Sequence, residues 1–180
     1  MTPPLLVCGL GQRLRGDDAV GLEAVARWAQ AHPHLANHPQ VRVLILESPG
    51  LTLLGPLGEA RAALLVDAVR SGAPPGTLHH LTPEQAQAFA AGHASAHGWG
   101  LAETLLLAQK VGHPLPEEIH ILGIEIQRLD PGETLLSPSV AKALPQVDAA
   151  ITQWLSARLP PPTSPARQHG VYRKSQRNRK

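Results

Sequence analysis

The sequence predicts an α/β fold, a three-layer α/β/α sandwich around a mostly parallel, five-stranded twisted sheet. Three observations point there. Apolar runs suited to strands alternate with segments of helical periodicity, the order that builds βαβ units. Two of those runs, 5–10 and 62–69, are apolar almost throughout, as strands covered on both faces are. And 180 residues suffice for one domain with a sizeable core.

Taken in order, residues 5–10 form the first strand, followed by a helix over 17–31. Val20, Ala24 and the stretch 26–28 give that helix its apolar stripe. A second strand covers 41–47. A short helix over 51–57 follows, with Gly55 and Pro56 near its end, and a third strand covers 62–69. The weaker run 77–81 supplies another strand. A helix over 83–91 then starts with Thr82 as N-cap and Pro83 in its first turn. A helix over 101–111 is stopped by Gly112 and Pro114, and the last strand covers 119–126. The closing helix spans 139–159, with an early interruption or kink expected at Pro145. Residues 1–159 make a single domain. Residues 160–180, opening on three prolines, read as a disordered basic tail.

Charge divides at the same place. The tail holds six of the 16 Lys and Arg and no acid, so the body carries ten basic groups against 14 acidic ones. The basic pI therefore says little about the body, and nucleic acid is not the expected partner of the domain. No apolar run approaches the roughly 18–20 residues of a membrane span, and the N-terminus lacks the charged start of a signal peptide. A cytoplasmic protein is expected. The one cysteine, Cys8, lies inside the first apolar run, so it reads as a buried thiol and no internal disulfide is possible.

In parallel sheets ligands collect beyond the carboxyl ends of the strands. After the first strand comes "GLGQRLRGDDAVG", with Gly9, Gly11 and Gly16 followed by Asp17 and Asp18. The third strand ends in Val66-Asp67-Ala68, and Ser95-Ala96-His97-Gly98-Trp99-Gly100 leads into the 101–111 helix. A phosphate fits this set poorly. Leu14 breaks the G-x-G-x-x-G pattern, no Lys-Ser or Lys-Thr follows the glycines, and two acids at a helix start repel an anion. A cation fits better, because Asp18, Asp67 and His97 form an O,O,N set suited to a first-row metal.

Plain structural readings stand beside this one. Asp17 or Asp18 caps a helix, Asp67 accepts turn N–H groups, and His97 is one of ten histidines. His93 is its main rival as ligand. His97 is preferred for its glycine-flanked setting, which lets the backbone come close to a bound group. Nucleophilic catalysis has little support, since no G-x-S-x-G elbow is present.

These residues resemble a known family, the [NiFe]-hydrogenase maturation endopeptidases, over about residues 5–155. The opening stretch looks like the family signature G-x-G-N-x-x-x-x-D-[DE]-G-x-G. "LLVDAV" with "PPGTL" resembles its third strand and turn. "SAHGWGLAETLLLA" is similar to its S-x-H-x-x-G-L helix start, and "LGIEIQRLDPGETLLSPSV" to its last strand and the entry to its C-terminal helix. The resemblance implies an endopeptidase that trims a C-terminal peptide from a hydrogenase large-subunit precursor after nickel insertion. It also implies that Asp18, Asp67 and His97 contact the nickel, which the substrate carries. Three departures stand out. Gln12 replaces the signature Asn, Ala19 replaces the Gly after the acids, and Glu47-Ser48-Pro49-Gly50 stands where Asp-Gly-Gly is common. Pro49 is expected to stiffen that loop. They motivate a second expectation, a relative that binds a hydrogenase subunit without cutting it.

Overall fold

The computed structural model describes residues 4–48, 50–92, 100–132 and 134–160. The elements run β1 (Leu5–Gly11), α1 (Val20–Ala31), α2 (Pro33–Ala36), β2 (Val41–Glu47), α3 (Leu54–Glu59), β3 (Ala62–Val69) and β4 (Leu78–Leu81). They continue with α4 (Pro83–Gly92), α5 (Leu101–Lys110), β5 (Glu118–Glu125), α6 (Pro138–Ala141) and α7 (Leu144–Ser156).

The sheet has five strands in the order β2-β1-β3-β5-β4. β1 lies parallel to β2 and β3, β3 lies parallel to β5, and β4 alone is antiparallel, along the outer edge of β5. The chain steps from β1 outward to β2 and then returns across β1 to β3. β1 therefore sits where the winding reverses, and the crevice beyond the carboxyl ends of β1 and β3 is the topological switch point of the sheet.

Alternation along the strands divides the core in two. Leu5, Val7, Leu64, Val66, Leu122 and Ile124 pack with Val25 and Trp28 of α1 and Val147, Ile151 and Leu155 of α7. Leu6, Cys8, Leu10, Ala63, Leu65 and Ile121 face the other way, against Leu57 of α3 and Leu101 and Leu105 of α5. The three layers follow from this. β1 is buried along its whole length and β3 over its first five residues, as their unbroken apolar runs require.

The element order matches the sequence reading, with local differences. Residues 16–19 form a 3-10 turn, so α1 starts at Val20 rather than at residue 17. Its buried stripe runs through Val20, Leu22, Ala24, Val25 and Trp28. Arg27 faces solvent and pairs with Glu23 one turn back, which narrows the 26–28 stretch to Trp28. A 3-10 turn over Gly50–Leu53 precedes α3. Thr82 caps α4 as expected, and reciprocally. Gln85 N–H donates to the Thr82 hydroxyl (3.3 Å) and Thr82 N–H donates to the Gln85 side chain (2.8 Å), forming a capping box.

The closing helix is two helices. The expected interruption falls at residues 142–143, and Pro145 occupies the first turn of α7, where its missing N–H has no helical partner to lose. α2, built on Pro33 in its first turn, lies in what reads from sequence as a Pro-rich connection. Residues 161–180 of the expected basic tail, Pro49 and His93 fall outside the described residues.

Candidate active site

The glycines of the opening stretch act through close packing. Gly11 has φ +147°, and a Cβ there would stand 1.9 Å from the Asp18 carbonyl oxygen. A Cβ on Gly21 would lie 2.2 Å from the Val66 carbonyl oxygen and 2.4 Å from that of Leu10. No side chain fits either gap, so the acid-bearing turn and the start of α1 sit directly on the ends of β1 and β3. Gln12 N–H donates to the Asp18 carbonyl (3.3 Å), closing the turn with a backbone contact.

The two acids of that turn have different roles. Asp17 is fully buried and accepts from Ser137 N–H (2.6 Å), Ser137 hydroxyl (3.0 Å), Gln127 N–H (3.0 Å) and Arg128 N–H (3.0 Å). It does not cap α1. It ties the turn after β1 to the segment between β5 and α6, and its charge is answered by four donors, a structural task. Asp18 is also buried, at 8% exposure, and lies close enough to Asp67 to act on its charge.

Asp67 ends the buried part of β3 and is partly buried. One backbone donor, Ala68 N–H at 2.8 Å, reaches its carboxylate among the described residues. Burial, then the negative charge of Asp18, push its pKa from the ordinary 3.8 up to about 7, against the lowering effect of the Ala68 N–H. The same burial, with Asp67 nearby, drives the Cys8 thiol up to about 12. Cys8 is fully buried beneath the site, as expected, and is no nucleophile at neutral pH.

A fourth acid, not singled out by the sequence reading, ends β5. Glu125 at the end of β5 is 2% exposed. It accepts from Ser71 N–H (2.8 Å), Ser71 hydroxyl (2.7 Å) and Gly72 N–H (3.0 Å), and its carboxylate meets His79 Nε2 at 3.2 Å. It anchors the loop after β3 as Asp17 anchors the turn after β1. Its signal was available, since a lone acid between Ile124 and Ile126 in an apolar strand needs buried donors. The loop after β2 is held by Arg13, whose Nε lies 2.8 Å from the Glu47 carboxylate, and by Ser48 N–H to the Gly11 carbonyl (3.0 Å). Ser48 adopts the left-handed φ of 48°.

Of the three proposed ligands, the fold brings Asp18 and Asp67 together from two elements at the switch point. His97 lies outside the described residues, in the segment that leads to α5. Among the described residues no group of three or more His, Cys, Asp or Glu is placed to hold a metal ion. No helix among them is long and apolar enough to cross a membrane.

Fold and site together define an α/β domain with two neighbouring carboxylates, Asp18 and Asp67, at its switch point. The hydrogenase maturation protease family model matches residues 29–154, and the chain belongs to that family. The chain is similar to the hydrogenase expression/formation protein HupD of Rhodobacter capsulatus, at 35% identity over 150 residues, covering 83% of this chain and 68% of that protein. HoxM of Cupriavidus necator is 30% identical over 127 residues, covering 70% and 61%. The chain thus spans about two thirds of the length of these relatives. Among solved structures, the hydrogenase maturating endopeptidase HybD from E. coli superposes with a TM-score of 0.72 at 25% identity, covering 86% of this chain and 93% of that one. HycI from Thermococcus kodakarensis KOD1 shares the fold, with a TM-score of 0.66 at 22% identity over 86% and 93%.

Proposed function

We propose that this protein is an endopeptidase that removes a C-terminal peptide from a [NiFe]-hydrogenase large-subunit precursor after nickel insertion, and that Asp18, Asp67 and His97 contact that nickel. Family membership supports the reaction class. The observation that carries the site is the Asp18–Asp67 couple, two acids from separate elements close enough that the charge of Asp18 raises the Asp67 pKa. A divalent cation offsets that repulsion, and two carboxylates with an imidazole leave open positions on a borderline metal.

The nickel arrives with the substrate, so cleavage reports that loading is complete. A metal ion so held polarises a carbonyl or activates a water. The chain's own residues prepare for it. Asp17 fixes the turn that carries Asp18, Ala68 N–H orients one oxygen of Asp67, and the Arg13–Glu47 pair holds the β2 loop at the rim.

The test is to give the protein nickel-loaded and nickel-free precursor and weigh the products by mass spectrometry. Shortening of the loaded form alone is expected. Equal trimming of both forms overturns nickel recognition. A stable complex with uncut loaded precursor replaces this reading with that of a binding module.

A further inference from the structure

Away from the crevice, the outer edge of the sheet carries a pair of histidines. His80 on β4 and His120 on β5 place Nδ1 and Nε2 3.1 Å apart, with ring centroids 5.3 Å apart and planes inclined at 53°. The pair is diagonal across the antiparallel ladder, since His80 lies opposite Leu122, two residues on from His120. His80 is exposed and His120 partly buried, so the gap between the two nitrogens opens to solvent.

The pair is separate from the candidate active site. Ile119 and Ile121 pack toward α3 and α5, so His120 between them faces the opposite side of the sheet. Leu81 packs toward α3 and α5 as well, which places His80 on the same side as His120. Asp67 shares the parity of Leu65 and so belongs to the α3 and α5 side. It also lies opposite Gly123, three residues further along β5 than His120.

We infer that His80 Nδ1 and His120 Nε2 form a two-point surface site for a divalent first-row transition metal, with water filling the remaining positions. Imidazole nitrogens bind such ions at about 2.0–2.1 Å. Ligand angles between right-angled and tetrahedral then put two nitrogens roughly 2.9–3.3 Å apart, a range that contains the observed 3.1 Å. Without an ion, one ring donates its proton to the other across this contact. On binding, that proton moves to the other nitrogen of its own ring, and both lone pairs face the metal.

The surroundings favour a neutral His120 ring. Burial, then His80, then Arg158 lower the His120 pKa, with Glu118 opposing. Glu118 is itself engaged by the Arg158 guanidinium, which also stacks on Trp154 at 4.4 Å. Copper(II), at the top of the affinity order for nitrogen sites, is the most sensitive probe.

The test is a Cu²⁺ titration of the full chain, with paramagnetic broadening of histidine ring signals read by NMR. The His80 and His120 signals should broaden below one equivalent. His80→Asn and His120→Asn should each weaken the binding step about tenfold or more, while Asp67→Asn leaves it in place. Wild-type His80 and His120 signals that stay sharp below one equivalent overturn the inference, and so does a titration unchanged in both Asn variants. The wild-type readout does not depend on any variant folding. The Asp67→Asn arm separates failure here from failure of the active-site reading.

Discussion

A Cβ on Gly21 would stand 2.2 Å from the Val66 carbonyl oxygen, so the first turn of α1 rests on β3 one residue before Asp67. This contact sets how near Asp18, three residues before Gly21, comes to Asp67. Gly21→Ala must therefore push the acidic turn off the sheet. Overpacking at such a point costs typically about 1–3 kcal/mol, and trimming activity should fall with stability. Gly55→Ala is the control, because a Cβ there meets nothing within 4 Å. It should be neutral or stabilising by up to ~1 kcal/mol. Urea denaturation of both variants checks the contrast.

Asp17 is predicted to be a stability residue. Asp17→Ala leaves the N–H groups of Ser137, Gln127 and Arg128 buried without their acceptor. A loss of about 3–5 kcal/mol is expected on breaking such a set, read as a lower midpoint in chemical denaturation. Asp17→Asn should lose less, since its carbonyl still accepts.

Asp67 predicts the opposite sign. Its folded pKa of about 7 lies above the ordinary 3.8, so the folded chain holds a proton that the unfolded chain releases between those values. The resulting stability is present in full below about pH 4 and is lost as pH rises through about 7. Asp67→Asn keeps an acceptor for Ala68 N–H and removes the repulsion from Asp18. The variant should match wild type near pH 4 and exceed it at pH 8, by on the order of a few kcal/mol. Unfolding measured at both pH values decides it.

Activity should follow the same group in reverse. A carboxylate must be ionised to meet a cation, so kcat/KM for nickel-loaded precursor should rise with pH through about 7 and level off above it. A profile flat between pH 5.5 and 8 would remove Asp67 from the reacting set.

Cys8 is expected to resist alkylation at pH 8 in the native protein and to react promptly once the chain unfolds, because it is fully buried with a pKa of about 12. Mass-detected labelling with and without denaturant checks this.

Much of this architecture was legible in the sequence, for reasons that differ by element. β1 and β3 are apolar on both faces, which only a covered parallel strand requires, and Val41–Glu47 and Ala62–Val69 fall where the pattern put them. The approach of Asp18 to Asp67 was legible because residues after parallel strands converge at a switch point. What the pattern could not show depends on atoms far apart in the chain. Asp17 reads as a helix cap from its neighbours, yet its donors lie 110 residues and more away. Glu125 needed the loop at Ser71 and Gly72 to explain it. Pro145 reads as an interruption or a kink; the interruption is there between α6 and α7, with Pro145 in the first turn of the second helix.

The most direct measurement is trimming of nickel-loaded large-subunit precursor by wild type and by Asp18→Asn, Asp67→Asn and His97→Ala, with folding of each variant confirmed. The account predicts that wild type shortens the precursor and that each variant loses at least about a hundredfold in rate, the scale of removing a group that acts on the reacting centre. Undiminished trimming by all three variants would contradict it.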